Sequence, residues 1–214
     1  MTTKLICLHG FSQNGAVLRA QLGELLARLP EQVQVEVPDA PLECSPQSVK
    51  RLYAHTKGTR LPPPYRCFWD STDDGRTYVG WEQTIELLRQ LADGCDTVGL
   101  LGFSQGAIVV AALCALAEHR DFPKIGFAVL VAGRTPRSDL LLPLFERKLK
   151  TPSLHVWGQR DSLAGEHSLK LSECFDPASR EVVIWPGPHV VPTRGAAADA
   201  MIAFVGKHTA RATK

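Results

Sequence analysis

The 214-residue sequence has no apolar run approaching the roughly 20 residues needed to cross a bilayer, so no membrane span is expected. Its first apolar stretch, Leu5 to Leu8, is too short for a secretory h-region and runs straight into His9-Gly10. Charge is nearly balanced, with 24 Lys and Arg against 22 Asp and Glu, which gives no electrostatic case for a nucleic-acid partner. The basic tail from Lys207 to Lys214 reads as a frayed end. The six cysteines, Cys7, Cys44, Cys67, Cys95, Cys114 and Cys174, show no C-x-x-C spacing and no disulfide framework. They read as reduced, mostly buried thiols, and with no secretory signal the expected location is cytoplasmic. No G-x-G-x-x-G, no G-K-[ST] and no metal-ligand spacing occurs, so neither cofactor nor metal is expected. There is no internal repeat, low-complexity tract or linker. One domain over 1–214 is therefore expected, and 44% hydrophobic residues suffice for a sizeable core.

What is present is alternation. Buried strands are predicted at Lys4–Leu8, Val33–Val37, Thr97–Leu101, Gly126–Val131, Ser153–Trp157 and Glu181–Trp185. Helical spacing of apolar residues falls between them. Leu18, Leu22, Leu25 and Leu26 are stopped by Pro30; Trp81, Ile85, Leu88 and Leu91 share one face; 105–118, 143–149, 166–175 and 195–205 complete the set. Strands separated by helices predict a parallel α/β sheet covered on both faces. Residues from about 38 to 80 break the pattern. Six prolines fall there, which argues for a loop-rich insertion without a long regular element.

One short stretch carries the chemistry. Gly102-Phe103-Ser104-Gln105-Gly106 joins an apolar strand to an apolar helix and has the Gly-x-Ser-x-Gly form of a nucleophile elbow. The glycines would let strand and helix backbones approach, leaving Ser104 exposed in a strained conformation. An ordinary strand-to-helix turn carrying a serine reads the same over five residues. The other strand ends decide between them, because reactive groups in an open parallel sheet gather at carboxyl ends. Those ends hold His9-Gly10-Phe11, Asp161 and His189. The order serine, acid, histidine is that of α/β-hydrolases. His189 would act as general base and acid, and Asp161 would orient it. The backbone amides of Gln105 and Phe11 are the candidate oxyanion donors, with no special demand on either side chain. His167 is the main rival for the base, and Asp139, Glu166 and Asp176 are weaker rivals for the acid. Asp161 also reads as a turn or helix-cap residue. His9 is expected to shape the oxyanion loop and not to act as a base. Aromatic residues near the end of the insertion, Phe68, Trp69 and Tyr78 among them, read equally as core or as the wall of an acyl pocket.

With these residues in place, the chain resembles the "family of serine hydrolases" group, comprising fungal serine hydrolases and their animal relative, the ovarian-cancer-associated serine hydrolase. The matching stretches are Leu8-His-Gly-Phe-Ser-Gln-Asn-Gly15, Tyr78-Val-Gly-Trp-Glu-Gln-Thr84, Gly99-Leu-Leu-Gly-Phe-Ser-Gln-Gly-Ala107, Pro152-Ser-Leu-His-Val-Trp-Gly158 with Asp161, and His189-Val-Val-Pro192. The resemblance implies a compact α/β-hydrolase with six parallel strands in the order 2-1-3-4-5-6, and it carries Ser104, Asp161 and His189 over as the triad. It implies hydrolysis of carboxylic esters of medium to long acyl chains and, in some fungal members, of a thioester that holds an acyl chain on its carrier. The partner is then a small-molecule ester or thioester, with an acyl carrier as a further partner. Two alternatives are an acyl-protein thioesterase or lysophospholipase-like enzyme, and a non-catalytic binding module on a hydrolase fold. The chain departs from the family at Gly187-Pro188, where a double glycine is usual. It departs again at Ala132-Gly133-Arg134, where Ser-Gly-Phe is frequent. The second change puts a cation, Arg134, near the substrate and raises the expectation of an acidic one.

Overall fold

The computed structural model describes residues 3–55, 61–72 and 74–211; the final residues of the basic tail, 212–214, and parts of the insertion, 56–60 and 73, lie outside the described residues. In chain order the strands are β1 (Thr3–Leu8), β2 (Val33–Glu36), β3 (Leu42–Glu43), β4 (Arg66–Cys67), β5 (Asp70–Ser71), β6 (Tyr78–Val79), β7 (Thr97–Phe103), β8 (Ile125–Val131), β9 (Ser153–Gly158) and β10 (Arg180–Trp185). The helices are α1 (Gly15–Leu26), α2 (Pro46–His55), α3 (Trp81–Ala92), α4 (Gln105–Glu118), α5 (Gly165–Glu173) and α6 (Gly195–Arg211). Six strands form one parallel sheet in the order β10-β9-β8-β7-β1-β2. Counted among themselves in chain order, these are 2-1-3-4-5-6, as the resemblance implied. The fold is that of an α/β-hydrolase.

Helices cover both faces because each sheet face is apolar. On one face Leu18, Leu22 and Leu25 of α1 pack with Ala198, Met201 and Phe204 of α6 against Leu5, Leu101, Val129 and Val156. On the other, α3 and α4 pack against Ile6, Leu100, Ala128 and Leu130. Helix α4 is buried all round from Gln105 to Ala115, and Ala107, Ala111, Ala112 and Ala115 let it lie close on the sheet. All six cysteines are free. Burial pushes the Cys7 thiol up to about 12, so it stays protonated inside this core.

Three segments differ from the sequence expectation. The insertion contains α2, a ten-residue helix. The prolines cluster at its two ends, and Pro46 stands in the first helical position, where its missing N–H costs nothing. The segment after Pro143 forms a short 3-10 turn, Leu142–Phe145, and not an α-helix. The last helix runs on to Arg211, past the expected end near Val205, and Lys207 pairs with Glu181 on β10 at 2.7 Å.

The interior of β9 carries a histidine whose burial makes the fold sensitive to acid. His155 is buried, with Nε2 3.2 Å from Ser153 Oγ and its ring edge-on to Phe175. Burial first, and the Arg180 charge second, push its imidazole down to about 3. An unfolded chain takes up this proton below about 6.5, whereas the folded chain does not until far lower, so stability is full above 6.5 and falls as the medium acidifies. Between pH 6.5 and about 5 this one group should cost the fold about 2 kcal/mol. Urea unfolding of wild type and His155→Gln at both pH values measures it. The variant should lose correspondingly less stability on acidification, and an unchanged pH slope would contradict the assignment.

Candidate active site

The elbow works as a steric argument. A Cβ on Gly102 would sit 2.3 Å from the Gly106 carbonyl oxygen, and one on Gly106 would sit 2.2 Å from the Leu8 carbonyl oxygen. Both obstacles are backbone, so only glycine lets β7, α4 and the end of β1 meet here. Ser104 lies between them with φ 53° and ψ −112°, outside the basins a serine prefers, at a cost of about 1–3 kcal/mol. It is held there by its amide, which donates to Val131 on β8 at 2.9 Å. A serine preceding a helix normally caps it, but Ser104 makes no side-chain cap. Its Oγ lies instead 3.0 Å from His189 Nε2.

His189 Nδ1 lies 2.8 Å from Asp161 Oδ2, with the carboxylate fully buried and the imidazole 21% exposed. The other carboxylate oxygen accepts from the amides of Leu163 and Ala164, both at 2.9 Å. The two sequence readings of Asp161, turn cap and histidine partner, therefore hold together, one on each oxygen. The histidine loop is stitched to the same turn. Gln159 donates to Trp185, Arg160 to Gly187, and the Arg160 guanidinium to Pro186. At the Gly187-Pro188 departure, Gly187 lies under the Trp185 ring, which a Cβ there would meet at 1.9 Å and displace. The rivals are placed elsewhere: His167 is exposed on α5, Asp139 pairs with Arg76, Glu166 with Lys170, and Asp176 accepts from Ala178.

The amides of Phe11 and Gln105 donate to no acceptor among the described residues. Phe11 lies in a loop closed on itself. Gly10 donates to the Gln13 side chain at 2.8 Å, and the Gln13 amide donates to the Gly10 carbonyl at 3.2 Å. His9 is buried with both ring nitrogens engaged by backbone, Nδ1 at the Gly10 carbonyl and Nε2 accepting from Ala40. Burial holds its pKa below the usual value, which suits a neutral spacer beneath the loop.

The oxyanion role places no special demand on the Gln105 side chain, but its contacts give it a structural role. Its Oε1 accepts from the Phe68 amide at 3.0 Å and its Nε2 donates to the Trp69 carbonyl at 2.9 Å. Two residues earlier in the insertion, Arg66 pairs through its backbone with Ser12 and Gln13. The strip 66–69 thus braces both segments that supply the free amides. A glutamine next to the serine is the signal that could have suggested this, but its partners are 36 and 37 residues away.

Two cavities meet at Ser104, His189, Phe11 and Leu163. One, of about 520 Å³, continues between Leu52, Tyr53, Leu61, Phe103 and Val191. The other, of about 450 Å³, contains Trp69, Asp70, Arg51, Arg134 and Arg137. Of the aromatic residues expected at the substrate, Trp69 lines this second cavity. Phe68 is fully buried against the His9 ring, and Tyr78 stacks behind Trp69 at 4.2 Å. Among the described residues no cluster of three or more His, Cys, Asp and Glu is arranged to hold a metal, and no helix is long and apolar enough to cross a membrane.

The sequence model of the serine hydrolase (FSH1) family matches residues 1–201. The esterase OVCA2 of Danio rerio is 34% identical over 211 residues, covering 88% of this chain and 90% of that one. An esterase of Aedes aegypti is 31% identical over 212 residues, covering 94% and 74%. Among solved structures, acyl-protein thioesterase 2 of Zea mays shares the fold with a TM-score of 0.68 at 17% identity, over 99% of this chain and 94% of that one. A match running from the first strand into the last helix leaves one conclusion: the chain belongs to the FSH1 family of serine hydrolases.

Proposed function

We propose that this serine hydrolase cleaves carboxylic esters or thioesters of small molecules through an acyl-enzyme on Ser104. The observation that carries the reading is the unbroken chain Ser104 Oγ, His189, Asp161, with contacts of 3.0 and 2.8 Å. His189 accepts the serine proton as Oγ attacks the carbonyl, then returns it to the departing alcohol or thiol. Asp161, fixed by two amides, holds the imidazole with Nε2 as acceptor and stabilises it when charged. The amides of Phe11 and Gln105 receive the developing oxyanion, and removal of one such donor typically costs about 100- to 1,000-fold. Water then repeats the sequence on the acyl-enzyme.

The apolar cavity is assigned to the acyl chain. Leu163 and Val190 at its mouth are exposed apolar side chains, which such a chain would cover. The same acyl group delivered on an acyl carrier would use the same cavity. The six free thiols support a cytoplasmic place of action, and the single main sheet supports one catalytic domain over 1–214 with its insertion at about 38–80.

Labelling with a fluorophosphonate and hydrolysis of p-nitrophenyl esters from acetyl to palmitoyl test this. Each added methylene should raise kcat/KM about fourfold until the cavity is filled, following the free energy of burying a CH₂. Native protein that neither labels nor hydrolyses any ester would end the hydrolytic reading. A flat chain-length profile would end the assignment of the apolar cavity.

A further inference from the structure

The second cavity is charged, and two of its cations, Arg134 and Arg137, have no carboxylate partner among the described residues. Among the described residues, Arg51, Arg134, Arg137 and Asp70 are the charged side chains that line it. Asp70 accepts from Ser48 Oγ at 2.9 and 3.1 Å and from the Ser71 amide at 3.0 Å. Arg137 donates to the Asp74 carbonyl at 2.7 Å, a neutral group. Arg134, half-buried, has neither hydrogen-bond nor ion-pair partner among the described residues. Burial disfavours its charge, the Tyr78 hydroxyl opposes that effect, and the repulsion of Arg137 adds to it. An arginine nevertheless keeps its proton at neutral pH. A cation partly withdrawn from water near a second cation is a cost to the fold, and an anion bound beside them would relieve it.

The position of Arg134 is fixed by packing. It follows β8, the strand beside the one that carries Ser104. The preceding Gly133 is wedged so closely that a Cβ would lie 2.8 Å from Ala107 of α4 and 2.9 Å from Leu171 of α5. Its carbonyl accepts from Ser168 at 2.8 Å. Arg134 therefore stands on a closely packed turn at the carboxyl end of the sheet and lines the cavity that opens on the nucleophile.

We propose that the Arg134–Arg137 cavity is an anion subsite for the leaving group. The substrate class is then an ester or thioester with an apolar acyl chain and a carboxylate or phosphate on its alcohol or thiol side. This rests on the hydrolytic reading above and on the apolar cavity taking the acyl chain. The two arms of such a substrate would diverge from the scissile carbonyl as the two cavities diverge from Ser104.

The test uses octanoyl esters of 3-hydroxybenzoate, of 3-hydroxyphenyl phosphate, and of methyl 3-hydroxybenzoate as the neutral counterpart. A p-nitrophenyl ester of octanedioic acid carries the anion on the acyl side instead. Each kcat/KM is divided by the hydroxide-catalysed rate of the same ester. Wild type should favour an anionic over the neutral leaving group by about tenfold or more, the worth of one charged hydrogen bond. Arg134→Gln should collapse that ratio toward one, Arg134→Lys should keep part of it, and raised salt should lower it. The comparison of the two anions tells a carboxylate site from a phosphate site. A wild-type ratio near one, an unchanged ratio in Arg134→Gln, or preference for the acyl-side anion would overturn the proposal. If the ratio is near one while Ser104→Ala is inactive, the anion subsite falls and the hydrolytic reading stands. Equal activity of Ser104→Ala and wild type would remove both.

Discussion

Ser104→Ala should lower kcat for any ester the protein hydrolyses by about 10⁵- to 10⁶-fold and abolish fluorophosphonate labelling. The magnitude follows from what remains. The two free amides and the cavities still bind substrate, but no nucleophile stands 3.0 Å from His189 Nε2, and water must attack unassisted. Structure should be unaffected, since alanine at φ 53° is strained no more than serine and only one half-exposed hydrogen bond is lost. The thermal midpoint should therefore stay within about 4 °C. Ser104→Gly gives a second readout. It should be equally inactive yet more stable than Ser104→Ala by about 1 kcal/mol, because glycine adopts this backbone without strain. Activity above one-hundredth of wild type in a well-folded alanine variant would place the nucleophile elsewhere. Equal stability of the two variants would deny that strain is stored at the elbow.

The elbow was legible because its cause is local. Strand, glycine, serine, glycine and helix all lie within about twenty residues, and the collisions that demand Gly102 and Gly106 occur where those pieces join. His189 and Asp161 were legible for a different reason: in a parallel sheet a residue just past a strand is at the reactive edge whatever precedes it. The insertion resisted reading because its order is made by distant partners. Counting prolines hid α2, since the count ignores that they stand outside the helix or at its first turn. Aromatic composition could not separate Trp69, which faces a cavity, from Phe68 and Tyr78, which pack behind it. Which side of α2 meets which cavity was equally hidden. Arg51 reaches the charged one and its neighbours Leu52 and Tyr53 the apolar one, a division that exists only once the insertion has folded over Ser104.

The same folding-back ties specificity to catalysis. The strip 66–69 carries Trp69 into the charged cavity, and it also holds the Phe11 loop through Arg66 and the Gln105 side chain through Phe68 and Trp69. The segment that shapes the site for substrate thus positions both candidate oxyanion donors.

Asp161→Asn should lower kcat by about 10⁴-fold with little change in KM. The asparagine carbonyl can keep the two amide bonds that Oδ1 now accepts from Leu163 and Ala164, so the turn is preserved. Its amide nitrogen then points at His189 Nδ1, where Oδ2 stood at 2.8 Å. A donor facing that nitrogen selects the tautomer with the proton on Nε2, and an Nε2–H cannot accept the proton of Ser104. The effect falls on the chemical step, so labelling by a fluorophosphonate should slow in proportion to kcat. Asp161→Ala separates the two duties of the carboxylate. It should lose comparable activity and, in addition, about 1 kcal/mol of stability through the missing turn cap. Less than a tenfold fall in the asparagine variant would mean that another group orients His189. A destabilised asparagine variant would mean that the turn needs the charge, and not merely an oxygen, at Oδ1.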